Sequence, residues 1–371
     1  MKYLQIIIFS ALTLSAVSQD STKLLIHVNN IEADTLILTK SLEDFRYHGT
    51  EIPVRNNHTA EYTLSHEFIE EYVLAYKSDL SKGMWKNIVF FPNSTQIEFS
   101  LYPSEQYEQN TITGDLLGER KRSYQFSFGS QFMEAGNNIF SAFFQSEEGS
   151  EKWQDAKVRL DSINRAVLQY HYEYLKDDTS ILGLNEYVEL LNNADQMMIP
   201  ADVFKEYHGH HTRRNFDHPL LERANNLYTA LSSIKTGGNF VDITIKTLDD
   251  KSINLSRLID GQKFVLLDLW APWCGPCIRK SKLVKESYDT LTDKLEVIGV
   301  IGGVNKKELA IDALKKYNYP WTSYLEISDE NKIWEKYGIS NGGGAQYLID
   351  RTGLIIAVNP SLDEIATFLD Q

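Results

Sequence analysis

Cysteine is nearly absent from this chain. Among 371 residues there are two, so no second pair exists to complete the four-ligand set of a structural zinc site. Positive charge is also scarce: 37 Lys and Arg stand against 51 Asp and Glu, for a formal net charge of -14. The lack of a basic cluster and this net charge argue against nucleic acid and against anionic membrane surfaces as partners. Beyond the first residues no apolar run reaches the length of a membrane span. Internal repeats, low-complexity tracts, nucleophile elbows and phosphate-cradling loops are also missing. Gly342, Gly343 and Gly344 lack the lysine and helix start of a phosphate loop.

Aromatic residues, by contrast, make up 12% of the chain, which suits a folded, β-containing protein and not a disordered one. The length suffices for two domains and a connecting region. Met1-Lys2 precedes an apolar stretch from Tyr3 to about Leu14, and Ala16-Val17-Ser18 offers small residues for cleavage before Gln19. Residues 1–18 are therefore expected to be a secretory signal peptide, and the mature chain to be periplasmic or otherwise extracytoplasmic. An uncleaved anchor is the alternative. No cysteine stands at the end of the stretch, so a lipoprotein anchor is not expected.

Both cysteines fall in Trp273-Cys274-Gly275-Pro276-Cys277, at the end of the apolar run from Phe264 to Trp270. A strand-to-helix junction there places both sulfurs in the first helical turn, where free amide N–H groups and the helix dipole favour a thiolate. Pro276 fits because that turn needs no N–H from it, and Gly275 leaves the first sulfur approachable. Cys274 is expected to attack and Cys277 to resolve the mixed disulfide. A structural bridge, half of a zinc site and two inert thiols are the other readings. The bridge would close a very short loop and constrain the unfolded chain little. Redox use fits the motif and its context best.

The stretch from Phe264 to Cys277, FVLLDLWAPWCGPC, closely resembles the thioredoxin superfamily in its strand, its tryptophan-flanked active site and its CGPC tetrad. The resemblance implies an α/β thioredoxin-like domain, a mixed sheet flanked by helices. Asp268 lies six residues before Cys274, at the position of the family's buried acid. Such a carboxyl would be desolvated, its pKa raised, and able to accept the proton that Cys277 loses. A merely hydrogen-bonded strand residue is the alternative. Asn239 to Ile243 followed by Lys246 to Leu255 resembles the lead-in hairpin of the extracytoplasmic TlpA/ResA-like branch, which overlaps with the AhpC/TSA group. Leu295 to Ile301 is expected as a second parallel strand, Lys307 to Tyr317 with Tyr319-Pro320-Trp321 as the branch's insertion, and Tyr347 to Ile355 as the closing hairpin.

Three positions depart from that pattern. Counting back from Asp350 puts Gly344, within a triple-glycine loop, where the family places a cis-proline that presents backbone groups to a substrate. A flexible loop there must be ordered on binding. The branch's glutamate and proline after the second cysteine are replaced by Lys280 and Lys282, read here as solvated charges on an exposed helix face.

Residues 19–115 read as short strands, among them Leu24 to Val28, Thr35 to Leu38, Tyr72 to Tyr76, Asn87 to Phe91 and Gln96 to Ser100, forming an antiparallel sheet or sandwich. Ile88 to Asn93 and Thr111 to Asp115 resemble the N-terminal β-domain of DUF4369 type that precedes thioredoxin-like domains in Bacteroidetes. Residues 116–233 read as a helical connecting region, with packing stripes at Trp153, Ala156, Val158, Leu160, Ile163, Val167, Tyr170, Tyr174 and Leu175 and again at Leu220, Ala224, Leu227 and Leu231. Of His208, His210, His211 and His218, three crowd a Gly-containing loop candidate without a helical i, i+4 pair or a fixed acidic partner nearby, so they are not read as a metal site. Residues 234–371 are expected to form the thioredoxin-like domain.

The expected function is extracytoplasmic thiol:disulfide oxidoreduction through Cys274, Cys277 and Asp268, with Trp273, Gly275, Pro276 and Gly344 around them. Protein disulfides are the expected substrates, a membrane thiol transporter the expected electron donor, and no cofactor or metal is expected. A thiol peroxidase is the rival enzyme, although Ala271 stands where that family's peroxide-binding threonine would be. A redox-inactive thioredoxin-fold binding module is the non-enzymatic rival.

Overall fold

The structure, a computed structural model, describes residues 20–30, 35–43, 45–83, 85–147, 149–178, 180–194, 204–213, 217–259, 261–339 and 343–370. The segment expected as a signal peptide lies outside them. The chain divides into two compact units, Met1–Arg120 and Lys121–Gln371.

The first unit carries β1 (Asp20–Val28), β2 (Thr35–Lys40), α1 (Phe45–His48), β3 (Thr50–Pro53), β4 (Thr59–His66), β5 (Tyr72–Tyr76), α2 (Lys77–Ser81), β6 (Ile88–Phe90), β7 (Gln96–Leu101) and β8 (Thr111–Thr113). Alternation in β1 buries Thr22, Leu24, Ile26 and Val28 and leaves Lys23 and His27 outside. Two four-stranded sheets, β4-β1-β7-β8 and β3-β2-β5-β6, share a core that includes Leu24, Leu36, Ile52, Leu74, Phe90 and Phe99. The sandwich differs from the antiparallel expectation at one ladder, since β1 and β7 pair parallel. β3 and β4 escaped the sequence reading because their alternation carries polar residues on the outer face. Asp115 ends the unit's sheet: its carboxylate accepts from Phe91 N at 3.2 Å and Gly118 N at 2.8 Å.

The division falls inside α3 (Leu116–Gln145), which leads to α4 (Glu151–Leu175), α5 (Ile181–Asn192), α6 (Lys205–Thr212) and α7 (Pro219–Ser233). Ser150 caps α4 and Ser180 caps α5, each accepting a backbone N–H of the first turn. In α4 the buried stripe is Ala156, Leu160, Asn164, Val167, Leu168 and Leu175. Val158 and Tyr174, counted as packing residues from sequence, are exposed. Two residues on from Ala156, Val158 points to the opposite side of a helix with 3.6 residues per turn. His208, His210 and His211 lie on α6 and not in a loop. They act as packing groups: His208 stacks on Tyr228, His211 stacks on Tyr187, and His210 bonds to the Lys176 carbonyl. His218 caps α7.

The remaining elements are β9 (Thr244–Lys246), β10 (Ser252–Asn254), β11 (Phe264–Trp270), α8 (Gly275–Glu286), α9 (Tyr288–Leu291), β12 (Leu295–Val304), α10 (Lys307–Tyr317), β13 (Ser323–Ile327), α11 (Ile333–Lys336), β14 (Gly344–Ile349), β15 (Ile355–Val358) and α12 (Leu362–Leu369). One seven-stranded mixed sheet runs β10-β9-β13-β12-β11-β14-β15. β11 lies inside it, parallel to β12 and antiparallel to β14. Covered on both faces, it reads as a nearly unbroken apolar run. Leu267 and Leu269 pack with Ile298, Val300, Tyr347 and Ile349 on one face, while Leu266 packs with Val284, Val297 and Leu348 on the other. Asp268 is the one charged residue of β11, and it is 1% exposed.

Candidate active site

β11 ends at Trp270, and four residues later α8 begins with Cys274 as its cap residue. Pro276 occupies the first turn, where no N–H is required of it. Cys274 and Cys277 are joined as a disulfide. The Cys277 backbone N–H donates to Cys274 Sγ at 3.2 Å, so the helix end that would stabilise a thiolate is aimed at Cys274. Exposure does not separate the two: Cys274 is 9% and Cys277 8% accessible. What distinguishes them is the cap position. Gly275 and Pro276 are exposed. A Cβ on Gly275 would meet only Arg279 Nη1 at 3.5 Å, so the backbone does not demand glycine there.

Trp273 is half-buried and its indole N–H donates to the Gly303 carbonyl at 2.9 Å. Gly303 sits where the β12 and β13 register shifts between Ile301 and Val304, with φ at +64°. A Cβ on it would come within 3.0 Å of Ala271 Cβ and 3.1 Å of Trp273 Nε1. This irregularity in β12 gives the active-site tryptophan both its seat and its acceptor.

Beneath the dithiol, Asp268 Oδ2 accepts from Ser281 Oγ at 2.6 Å and Oδ1 accepts from Gln346 Nε2 at 3.2 Å. Burial pushes the Asp268 carboxyl up to about 6, against the pull of Ser281, Gln346 and the Lys280 charge. Lys280 is half-buried, not a solvated surface charge: its ammonium donates to Asn359 Oδ1 at 2.9 Å. Desolvation lowers its pKa and the Asp268 carboxylate raises it. Lys282 is exposed, as read from sequence. Tyr319 stacks on Trp321 at 4.7 Å and meets Trp270 edge-on at 5.4 Å.

The flexible triple-glycine loop is corrected at Gly344. Asn341 and Gly342 lie outside the described residues, but Gly344 is the first residue of β14 and pairs with Trp270 across the antiparallel ladder. Its φ is +143°, and a Cβ on it would lie 2.0 Å from the Leu269 carbonyl oxygen. Glycine is fixed there by close backbone approach. Ser281 and Gln346 were missed from sequence. Ser281 follows Cys277 by one helical turn and therefore shares its buried face, a signal that periodicity could have supplied.

A parallel central strand leading into a dithiol at a helix N-terminus, above a buried carboxyl, defines a thioredoxin-fold protein. Residues 236–358 match the AhpC/TSA family model. The thioredoxin-like protein YneN of Bacillus subtilis is 30% identical over 135 residues, covering 35% of this chain and 76% of that protein. Thioredoxin of Alicyclobacillus acidocaldarius is 41% identical over 44 residues, 12% of this chain and 42% of its own length. Thioredoxin of Griffithsia pacifica is 36% identical over 58 residues, 16% of this chain and 52% of its own length; the chain thus spans about half of these two relatives. Among solved structures, the thioredoxin domain of a thiol-disulfide oxidoreductase from Bacteroides vulgatus is 24% identical, covering 37% of this chain and 97% of that one, with a TM-score of 0.33. The chain belongs to the thioredoxin superfamily.

Proposed function

We propose that this protein is an extracytoplasmic thiol:disulfide oxidoreductase that reduces protein disulfides. One observation carries the reading: Cys274 caps α8 in a disulfide with Cys277, above a buried Asp268 held between Ser281 and Gln346. In the reduced protein the Cys274 thiolate attacks a substrate disulfide, forming a mixed disulfide and releasing the first substrate thiol. Cys277 then gives its proton to Asp268, and its thiolate attacks Cys274 Sγ. The second substrate thiol leaves and the Cys274–Cys277 bridge forms, so two electrons have passed to the substrate. A dithiol donor must return them, and a membrane thiol transporter suits an exported protein. The tetrad is thioredoxin's, whose potential is about -270 mV against about -120 mV for a strong periplasmic oxidant, which favours reduction as the direction.

Export rests on the character of residues 1–18. Among the described residues no helix is long and apolar enough to cross a membrane. The β-sandwich is read as a DUF4369-type domain, 19–115, followed by a helical region, 116–233, and the thioredoxin-like domain, 234–371. The test is a protein-disulfide reduction assay on the mature chain with a measured reduction potential. Turnover that disappears in Cys274→Ser, with a potential near that of thioredoxin, supports the proposal. No turnover in the wild type points to a binding module, and peroxide consumption by Cys277→Ser points to a peroxidase.

A further inference from the structure

Ser281 is fully buried, and its hydroxyl faces two acceptors, Asp268 Oδ2 at 2.6 Å and the Cys277 carbonyl oxygen at 3.0 Å. A serine has one hydroxyl hydrogen, so it can satisfy one of them at a time. While Asp268 is ionised the charge-assisted bond to the carboxylate takes it. Once Asp268 carries a proton on Oδ2, two hydrogens would collide along that line. The carboxyl must then donate to Ser281 Oγ, and the serine hydrogen turns to the Cys277 carbonyl. We propose that Ser281 is a positioning residue whose hydroxyl switches between Asp268 and the Cys277 carbonyl as Asp268 takes up and releases its proton. Both protonation states of the buried acid thereby keep hydrogen-bond partners, which lowers the barrier to cycling a proton through an apolar layer. Gln346 holds the other carboxylate oxygen at 3.2 Å and leaves Oδ2 as the working side.

This rests on the reading of Asp268 as the acceptor for the Cys277 proton, and the experiment separates the two. The other ionisable groups facing Asp268 are Lys280 on α8 and Tyr319, whose phenol burial pushes up to about 12 and the Ser281 hydroxyl pulls down. The sequence has no histidine after His218, and bridged Cys274 and Cys277 do not titrate. The oxidised full chain is therefore titrated by NMR, following the Asp268 carboxyl carbon and the Cys277 carbonyl. Carbonyl-labelled cysteine with amide-labelled isoleucine isolates the Cys277–Ile278 bond. The expected result is one shared midpoint for both signals in the wild type. In Ser281→Ala the Asp268 midpoint rises by about 1 unit, because a donor to the charged form is lost, and the carbonyl signal stops moving. Ser281→Thr, which keeps the hydroxyl, restores both. A wild-type carbonyl that ignores the Asp268 titration overturns the switch without any variant, as does an unchanged Asp268 midpoint in Ser281→Ala. Full turnover in Asp268→Asn would instead overturn the acceptor reading, while the carbonyl titration still decides the switch.

Discussion

Gly344 faces Trp270 across the β11–β14 ladder so closely that a Cβ on it would lie 2.0 Å from the neighbouring Leu269 carbonyl oxygen. Trp270 is the last residue of the strand that delivers the dithiol, so the glycine fixes where β14 starts beside the active site. A positive φ of +143° adds to the demand. Gly344→Ala is expected to destabilise the domain by about 2 kcal/mol or more, through strained backbone and displaced ladder hydrogen bonds. Proline cannot restore a rigid ledge at this position, because its ring holds φ near -65°. Denaturant unfolding checks this; a Gly344→Ala protein as stable as the wild type would show that β14 can retreat from Leu269 freely.

Asp268→Asn should slow resolution of the mixed disulfide by roughly 10 to 1,000-fold while leaving the first attack nearly intact, as removal of a general base does. Since the Asp268 carboxyl is pushed up to about 6 by burial, resolution in the wild type should fall as pH drops through that value. Single-turnover kinetics with a trapped mixed disulfide measure it. A pH profile flat through this range in the wild type argues against Asp268 as the acceptor.

The same shift has a consequence for stability. The folded pKa of Asp268 lies above the ordinary value of 3.8, so the folded state binds the proton more tightly than the unfolded chain does. Stability is then greatest below the unfolded pKa, declines as pH rises from about 4 to about 6, and stays lowered above that. At neutral pH the buried carboxylate is a burden of about 3 kcal/mol on the linkage relation. Asp268→Asn should therefore be more stable than the wild type at neutral pH and lose that advantage near pH 4. Equal stabilities at both ends would mean that the carboxyl is better solvated than its 1% exposure implies.

How much of this was legible beforehand depends on sequence distance. Cys274, Cys277, Pro276 and Asp268 lie within ten positions of one another, and a strand-turn-helix unit keeps such neighbours together in space, so the dithiol could be read from its motif and the burial of Asp268 expected from the family resemblance. Gln346 reaches Asp268 from 78 residues away, and nothing local marks it. Ser281 was hidden by its neighbours: Arg279, Lys280 and Lys282 make that turn look solvated, although the residue one turn after Cys277 had to share its face. Through the family resemblance α10 was expected at Lys307–Tyr317, as it is found, and β12 was expected from Leu295 to Ile301, three residues short of its end at Val304. The parallel β1–β7 pair was not, because pairing direction is set by connections and leaves no trace in alternation.

Cys274 should react before Cys277 once the bridge is reduced. The Cys277 N–H already points at Cys274 Sγ at 3.2 Å, and a thiolate at the cap of α8 gains from that donor and from the helix dipole. Alkylation of the reduced protein under mildly acidic conditions, read by peptide mass, should label Cys274 first; equal labelling would mean that the cap geometry belongs to the bridged form alone.

Gly303→Ala tests whether the seat of Trp273 matters to the chemistry. The added methyl would be 3.0 Å from Ala271 Cβ and 3.1 Å from Trp273 Nε1, at a φ of +64°, so it strains the backbone and presses on the indole at once. The tryptophan should then lose its bond to the Gly303 carbonyl and move relative to Cys274, the residue next to it in the chain. The expected outcome is a changed tryptophan emission on reduction together with a roughly tenfold slower substrate reduction, equivalent to about 1.4 kcal/mol in the transition state. Trp273→Phe keeps a ring but has no N–H to donate, and should show a smaller rate loss than Gly303→Ala if position, not the hydrogen bond alone, is what the β12 irregularity supplies. The reverse order would assign the effect to the hydrogen bond.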